Sequence, residues 1–294
     1  MSFNKKFFTT GGIVASTPAG DGNPVMANAT LVNTVSITVG SRGIPRGAMF
    51  SFDGTRLFTT HLDGSGNDWI QQYNIGTGFD ITTLGTTVAD EKQLTATIPD
   101  YLQGVTANLD NTWISYDPYS INNYYSQPFG TAGSISTLGT LNTDSCSRSG
   151  GNRVSRAQMI SKDGNYLFML TSGRNMYRPT LSTNNDLSSG SGCGISTSVS
   201  AIESSLGSAP QGFNFNSDGT KYYQFVDNGQ VATFDLSTAW DVSTRSNQIT
   251  DNLATDLDTP NEVYAIQFND DYTKMLIFTV NGGYATWKVH EFNL

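Results

Sequence analysis

The chain has 294 residues and a formal net charge of −9, and only 14% of its residues are charged. Ordinary soluble domains carry about 25%; here Ser, Thr, Asn and Gly take the place of the missing charges. So acidic a chain is a poor ligand for duplex nucleic acid, which demands concentrated Lys and Arg, and no apolar run reaches the roughly 20 residues of a membrane-spanning helix. Two cysteines (Cys146, Cys193) and two histidines (His61, His290) match no standard zinc spacing, so neither a metal nor a cofactor is expected.

In chain order, residues 1–30 come first and fit no later pattern. Phe3, Phe7 and Phe8 flank Lys5 and Lys6, and a Gly- and Pro-containing linker follows to about Ala29. The apolar stretch is broken by Thr9-Thr10-Gly11-Gly12, which does not suit a secretory signal. An aromatic, basic arm suits docking on a partner protein, with order gained on contact; simple fraying is the plainer account. Val35–Val39 then alternates as a strand does.

From residue 31 onward the chain reads as one domain built on a repeat. Asp53, Asp110, Asp163, Asp218 and Asp271 anchor five copies, 57, 53, 55 and 53 residues apart. Each copy has an apolar-alternating run, a turn at the aspartate and a second β-rich run. The turn is Asp-Gly in three copies, Asp-Asn in one and the poorer turn former Asp271-Tyr272 in the last. Third strands read at Trp69–Asn74, Val231–Leu236 and Ala285–Glu291, and Ser/Thr-rich loops and a weaker fourth run follow. Four strands per unit and five units predict an all-β, five-bladed β-propeller of four-stranded blades. Six residues before each anchor stand Gly47, Gly104, Ala157, Gly212 and Ala265, small as an axial column must be. The fifth unit stops at Leu294 without its outer strand, and pairing Val35–Val39 there would close the ring and cap two open edges.

Candidate chemistry is sparse. Glycoside hydrolysis needs two carboxylates at a set separation, and Glu262 is the lone acid on the axial stretches of the repeats. No Gly-x-Ser-x-Gly elbow occurs, and His61 and His290 read as surface or packing residues. No catalytic residue is assigned, and the chain reads as a non-enzyme. Immediately before the small column stand Arg46, Gln103, Arg156, Gln211 and Tyr264, a polar circle at one channel mouth that could take a carboxylate, a sugar or a water cluster. Satisfying backbone groups and water in a narrow channel is the preferred account of that circle. The second unit packs Tyr116, Tyr119, Tyr124 and Tyr125 into one stretch, which suits either surface recognition or filling between blades. The loop Asp63–Asp68 offers oxygens to calcium but lacks the ligand count of a known calcium loop. Cys146 and Cys193, each in a Gly/Ser-rich loop, either pair or stay free thiols.

Two stretches carry a resemblance. Phe215-NSDGTK-Tyr222 with Phe234-DLSTAWDVST-Thr244, and the degenerate Phe50-SFDGTR-Leu57 with Tyr73-NIGTGFDITT-Leu84, resemble propeller-repeat proteins of marine, short-tailed bacteriophages. Asn4-KKFFTTGGIVAS-Thr17 resembles leader segments of phage virion proteins. The second and third units have lost the Ser-Thr-Ala-Trp-Asp signature. The resemblance implies a virion structural protein made in the host cytoplasm, a rigid disc held through its arm on capsid, neck or tail subunits. Its alternative is a receptor-binding protein recognising a host surface glycan.

Overall fold

Alternating apolar residues on either side of an Asp-centred turn fold into five antiparallel hairpins, and each becomes the inner pair of a four-stranded blade. The computed structural model describes residues 25–38, 43, 45–94, 102–118, 123–144, 155–171, 175–191, 196–198, 210–226, 229–253, 256–257, 262–281 and 286–294. The arm residues Phe3, Lys5, Lys6, Phe7 and Phe8, the loop residue Tyr119, and Cys146 and Cys193 lie outside the described residues.

A first strand, β1 (Thr30–Ile37), precedes the repeats. Blade 1 holds β2 (Pro45–Phe50), β3 (Arg56–Leu62), β4 (Asp68–Thr77) and β6 (Asp90–Leu94), with β5 (Asp80–Leu84) paired to the end of β4. Blade 2 runs β7 (Leu102–Ala107), β8 (Trp113–Pro118), β9 (Tyr124–Pro128) and β10 (Asn142–Asp144). Blade 3 runs β11 (Ser155–Ile160), β12 (Leu167–Thr171), β13 (Asn175–Tyr177) and β16 (Ser196–Ser198), with a ribbon of β14 (Thr180–Leu181) and β15 (Gly190–Ser191). Blade 4 runs β17 (Pro210–Phe215), β18 (Lys221–Val226), β19 (Gln230–Leu236) and β20 (Arg245–Asn252). Blade 5 has only β21 (Glu262–Phe268), β22 (Lys274–Asn281) and β23 (Thr286–Asn293) from its own repeat.

The missing outer strand is β1, which pairs antiparallel with β23 from Thr30↔Asn293 to Ile37↔Trp287. It starts earlier than the Val35–Val39 alternation suggests. Neighbouring inner strands touch all the way round, β21 against β2 included, so the five-bladed ring is closed. The axis is crowded: a Cβ added at Gly47 would lie 1.8 Å from the Gln103 carbonyl oxygen of the next blade. That contact excludes a side chain at Gly47; at Gly212 an added Cβ would meet the Ile266 Cδ1 methyl at 3.0 Å, and Ala157 and Ala265 carry a Cβ in the same column.

The seams between blades hold the core. Phe50, Tyr73 and Trp287 fill the seam of blades 1 and 5, and Phe58, Val105 and Tyr116 that of blades 1 and 2. Phe168, Phe215 and Trp240 pack blade 3 on blade 4, and Tyr223, Phe268 and Ile277 pack blade 4 on blade 5. Each fully buried side chain of this size stabilises the fold by roughly 1.5–3 kcal/mol.

The anchor aspartates organise the turns. The Oδ1 atom of each accepts the N–H two residues on, from Thr55, Thr112, Asn165, Thr220 and Thr273, at 2.9–3.2 Å. A second column precedes them: Ser51, Asn108, Ser161, Asn216 and Asn269 each accept the N–H five residues ahead at 2.8–3.0 Å. The residue after each aspartate is left-handed, with φ of 65° at Gly54, 56° at Asn111, 72° at Gly164, 71° at Gly219 and 55° at Tyr272. Its carbonyl, in blades 1 and 4, accepts the N–H of a second left-handed residue in the loop after the third strand: Phe79 at 3.3 Å and Trp240 at 2.9 Å. Blades 2 and 3 repeat this clamp with Gly133 and Asn185, at 2.7 and 2.8 Å. The second and third units, which lack the Ser-Thr-Ala-Trp-Asp letters, share this backbone geometry; four unlike residues fill one backbone role.

Candidate functional site at the ring mouth

Every inner hairpin carries a β-bulge at one register. The pairing slips between Pro45 and Gly47, Leu102 and Gly104, Ser155 and Ala157, Pro210 and Gly212, and Val263 and Ala265. The extra residue in each is Arg46, Gln103, Arg156, Gln211 or Tyr264, the five residues of the polar circle. A bulge re-aims one side chain without shifting the strand beyond it, and fivefold repetition puts five such residues on one rim. Arg156 Nη1 reaches Gln211 Oε1 of the next blade at 3.5 Å. Gln103, Gln211 and Tyr264 are buried, and Arg46 and Arg156 are half-buried. Tyr264 also packs at 6.4 Å against Phe278 and lines the axial cavity.

Below the rim, the inner strands enclose a cavity of about 30 Å³, running from Tyr264 to Phe52. That is room for about two waters and far too little for a sugar ring. Its walls are apolar (Ala48, Phe213 and Ile266 among them) apart from Thr106, Gln158 and Gln267. Phe52 of blade 1 packs into the cluster of blades 3 and 4, and Lys162 of blade 3 meets Asp270 of blade 5 at 2.6 Å with its ammonium over the Tyr272 ring.

Several buried polar atoms at this end find no hydrogen-bond partner among the described residues: Gln103 Oε1, Arg156 Nε, and both amide atoms of Gln158. Unpaired buried polar groups cost about 1–3 kcal/mol each and cluster where water or a ligand completes the set. The rim contributes two guanidinium groups, and carboxylates lie close by: Asp68 accepts the Leu102 N–H at 3.2 Å and the buried Asp117 pairs with Gly104.

The other candidates resolve differently. Tyr116, Tyr124 and Tyr125 are buried at 0, 0 and 5% exposure, which corrects their reading as a recognition surface. Tyr124 and Tyr125 are consecutive in β9, so they point to opposite faces; the first enters the seam with blade 3, where its hydroxyl donates to Leu187 O at 3.1 Å, and the second enters the seam with blade 1. Burial pushes the Tyr116 hydroxyl far above the ordinary tyrosine value. His61 and His290 are packing residues. His61 stacks on Trp287 with centroids 5.1 Å apart and meets Thr59 Oγ1 at 2.7 Å, while His290 lies 2.8 Å from Thr279 Oγ1 and 3.0 Å from Thr34 Oγ1. The Asp63 carboxylate accepts from Ser65, Asn67 and Trp69, bonds that hold it well below the usual carboxylate range; it organises its own loop. Among the described residues no group of three or more His, Cys, Asp or Glu is placed to hold a metal, and no helix is long and apolar enough to cross a membrane.

No family model matches the chain, and no curated protein matches it. Among solved structures it is similar to a candidate 6-phosphogluconolactonase from Bacteroides fragilis, with a TM-score of 0.51 and 15% identity over 90% of this chain and 78% of that one. A candidate 6-phosphogluconolactonase from Bacteroides uniformis gives a TM-score of 0.48 and 17% identity, over 83% of this chain and 70% of that one. The periplasmic gluconolactonase of Pseudomonas aeruginosa gives 0.45 and 18%, over 82% and 70%. The first of these likenesses establishes a shared propeller fold.

Two expectations from the sequence fall with this finding: that the chain is a non-enzymatic virion structural protein, with host-glycan attachment as alternative, and that it is no enzyme. The propeller whose fold it shares is named for a lactonase and not for a phage component. The missing pair of carboxylates carries no weight either. That pair is a demand of glycosidic bonds, whereas a lactone is an ester whose carbonyl water attacks directly.

Proposed function

We propose that this protein is an enzyme that hydrolyses a sugar lactone, held across the bulged rim by Arg46 and Arg156. The observation that carries the reading is the coincidence of five β-bulges at one register, which gathers two guanidiniums, two amides and a phenol at one end of the inner strands. Bulges at barrel and sheet rims serve to re-aim side chains at working sites.

In the reaction, water adds to the lactone carbonyl carbon, the ring C–O bond breaks, and the ring oxygen leaves as a hydroxyl beside a new carboxylate. Negative charge develops on the carbonyl oxygen and remains on the product. Fixed guanidinium donors stabilise such charge more strongly than they bind the neutral ester. Gln103 and Gln211 offer amides that both donate and accept, the pattern that sugar hydroxyls require.

The test uses purified protein with glucono-1,5-lactone and its 6-phosphate, following proton release in weak buffer with the spontaneous rate subtracted. Enzyme-dependent hydrolysis that falls about 10²-fold or more in Arg156→Ala, with an unchanged melting temperature, is the expected result. Hydrolysis at the spontaneous rate with both lactones, or full activity in Arg156→Ala and Arg46→Ala, contradicts the reading.

A further inference from the structure

Gln158 is the most conspicuous unabsorbed feature of the axis. It stands in β11, two residues past the bulged Arg156, and its side chain lines the axial cavity. It is 7% exposed, yet neither Oε1 nor Nε2 finds a partner among the described residues. The other glutamine on the cavity wall behaves differently: Gln267 Nε2 donates to Phe268 O at 3.0 Å. Thr106, the third polar group of the wall, donates to Ala107 O at 3.2 Å. Both have local backbone bonds. Gln158 differs in that neither end of its buried amide is bonded among the described residues.

Its neighbours sharpen the contrast. Ala157, Met159 and Ile160 all join the apolar packing of blade 3, so an apolar side chain would satisfy the position at least as well for folding alone. A buried primary amide without partners is costly by about 1–3 kcal/mol per group. The cavity of about 30 Å³ that Gln158 lines is bordered by Tyr264 and Phe52.

We propose that Gln158 is the floor of the ligand site: its amide receives one hydroxyl of the sugar whose ring lies across the rim. The chemistry is specific, because a hydroxyl both donates and accepts and so matches Oε1 and Nε2 together. The size also matches. A space of about 30 Å³ admits a hydroxyl-bearing carbon and excludes a phosphate or a sugar ring. In the free protein the same two atoms hold water, which the incoming hydroxyl displaces.

Resting on the lactone-binding function proposed above, this assignment is tested by calorimetric titration of D-gluconate, the product of the unphosphorylated lactone. The proteins compared are the wild type, Gln158→Met, Gln158→Leu and Arg156→Ala. Near-isosteric Met keeps the cavity filled, so a folding defect in the Leu variant leaves the test intact. Two neutral hydrogen bonds correspond to about a tenfold loss of affinity in Gln158→Met, with a melting temperature at or above that of the wild type. Gluconate binding that is lost in Arg156→Ala but unchanged in both Gln158 variants overturns the floor assignment and leaves the rim function standing, with water as the sole occupant. Absence of gluconate binding by the wild type, together with no lactone hydrolysis, overturns both.

Discussion

Substituting Gly219 by Ala tests the clamp that, in blades 1 to 4, ties the hairpin turn to the loop after the third strand. Gly219 sits at φ 71°, and an added Cβ would lie 2.2 Å from Trp240 Cδ2. The left-handed backbone alone costs a residue with a Cβ about 1–2 kcal/mol. The clash adds more, because Trp240 is 6% exposed and held against Phe168 and Phe215 at 6.4 and 5.3 Å. Displacing such a ring from a packed seam costs about 1–3 kcal/mol, so Gly219→Ala should destabilise by roughly 2–5 kcal/mol. Gly164 is the control. It has φ 72°, but the nearest atom to an added Cβ is Asn184 Nδ2 at 2.8 Å, the end of a side chain on the exposed turn. Gly164→Ala should therefore lose only the backbone part, about 1–2 kcal/mol. Urea unfolding followed by tryptophan fluorescence for both variants, and for Gly219→Ala in a Trp240→Ala background, separates the two contributions. The double variant should bring the Gly219 cost down to the Gly164 value. Equal costs for the two single variants, or no coupling between Gly219 and Trp240, would refute the clamp.

Other outcomes follow from the same geometry. Burial lowers the His61 pKa from 6.5 to about 4, the Gly43 carbonyl and Glu91 opposing only in part. Unfolded chains take up that proton first as pH falls, so stability is lost from about pH 6.5 down to about 4, with roughly 2 kcal/mol gone between pH 7 and 5. His61→Gln should flatten that part of the urea-derived stability profile; an unchanged slope would remove His61 as its cause. Below that range the turn carboxylates take over. Hydrogen bonds from Thr273 to Asp271 and from Ser243 to Asp241 hold both below the ordinary 3.8. Their contribution is complete above about pH 5 and disappears as pH falls through the lowered values. Calorimetric melts of Asp271→Asn should show less of this acid loss than the wild type. Gly47→Ala, whose Cβ would meet backbone at 1.8 Å, should prevent ring closure and cost about 3 kcal/mol or more; a melting temperature within a few degrees of the wild type would refute axial crowding.

Much of the ring was legible because its determinants are residue identities at fixed spacing. The turn aspartates, the small axial column and the unpaired end of the fifth unit all read directly from the chain. The bulges did not. One extra residue in a strand leaves apolar alternation intact on either side, so Arg46 and its four counterparts stood out as a polar column without any sign that each was re-aimed. The clamp loops of blades 2 and 3 escaped for a related reason. The left-handed position is held by Gly133 and Asn185 where blades 1 and 4 have Phe79 and Trp240, so comparing letters missed a shared backbone role. The tyrosines misled because loop and strand share a composition in this chain. Tyr124 and Tyr125 look like a recognition loop until their strand places one in each seam. Gln158 carried no signal at all; its meaning lies in two unpaired atoms, which sequence does not display.

A high-resolution crystal structure of the protein grown with D-gluconate tests the central claim most directly. The account predicts the carboxylate on the ring axis within hydrogen-bond reach of the Arg156 guanidinium, and one hydroxyl at the Gln158 amide. Gluconate bound elsewhere, or a rim holding only water at saturating gluconate, would contradict it.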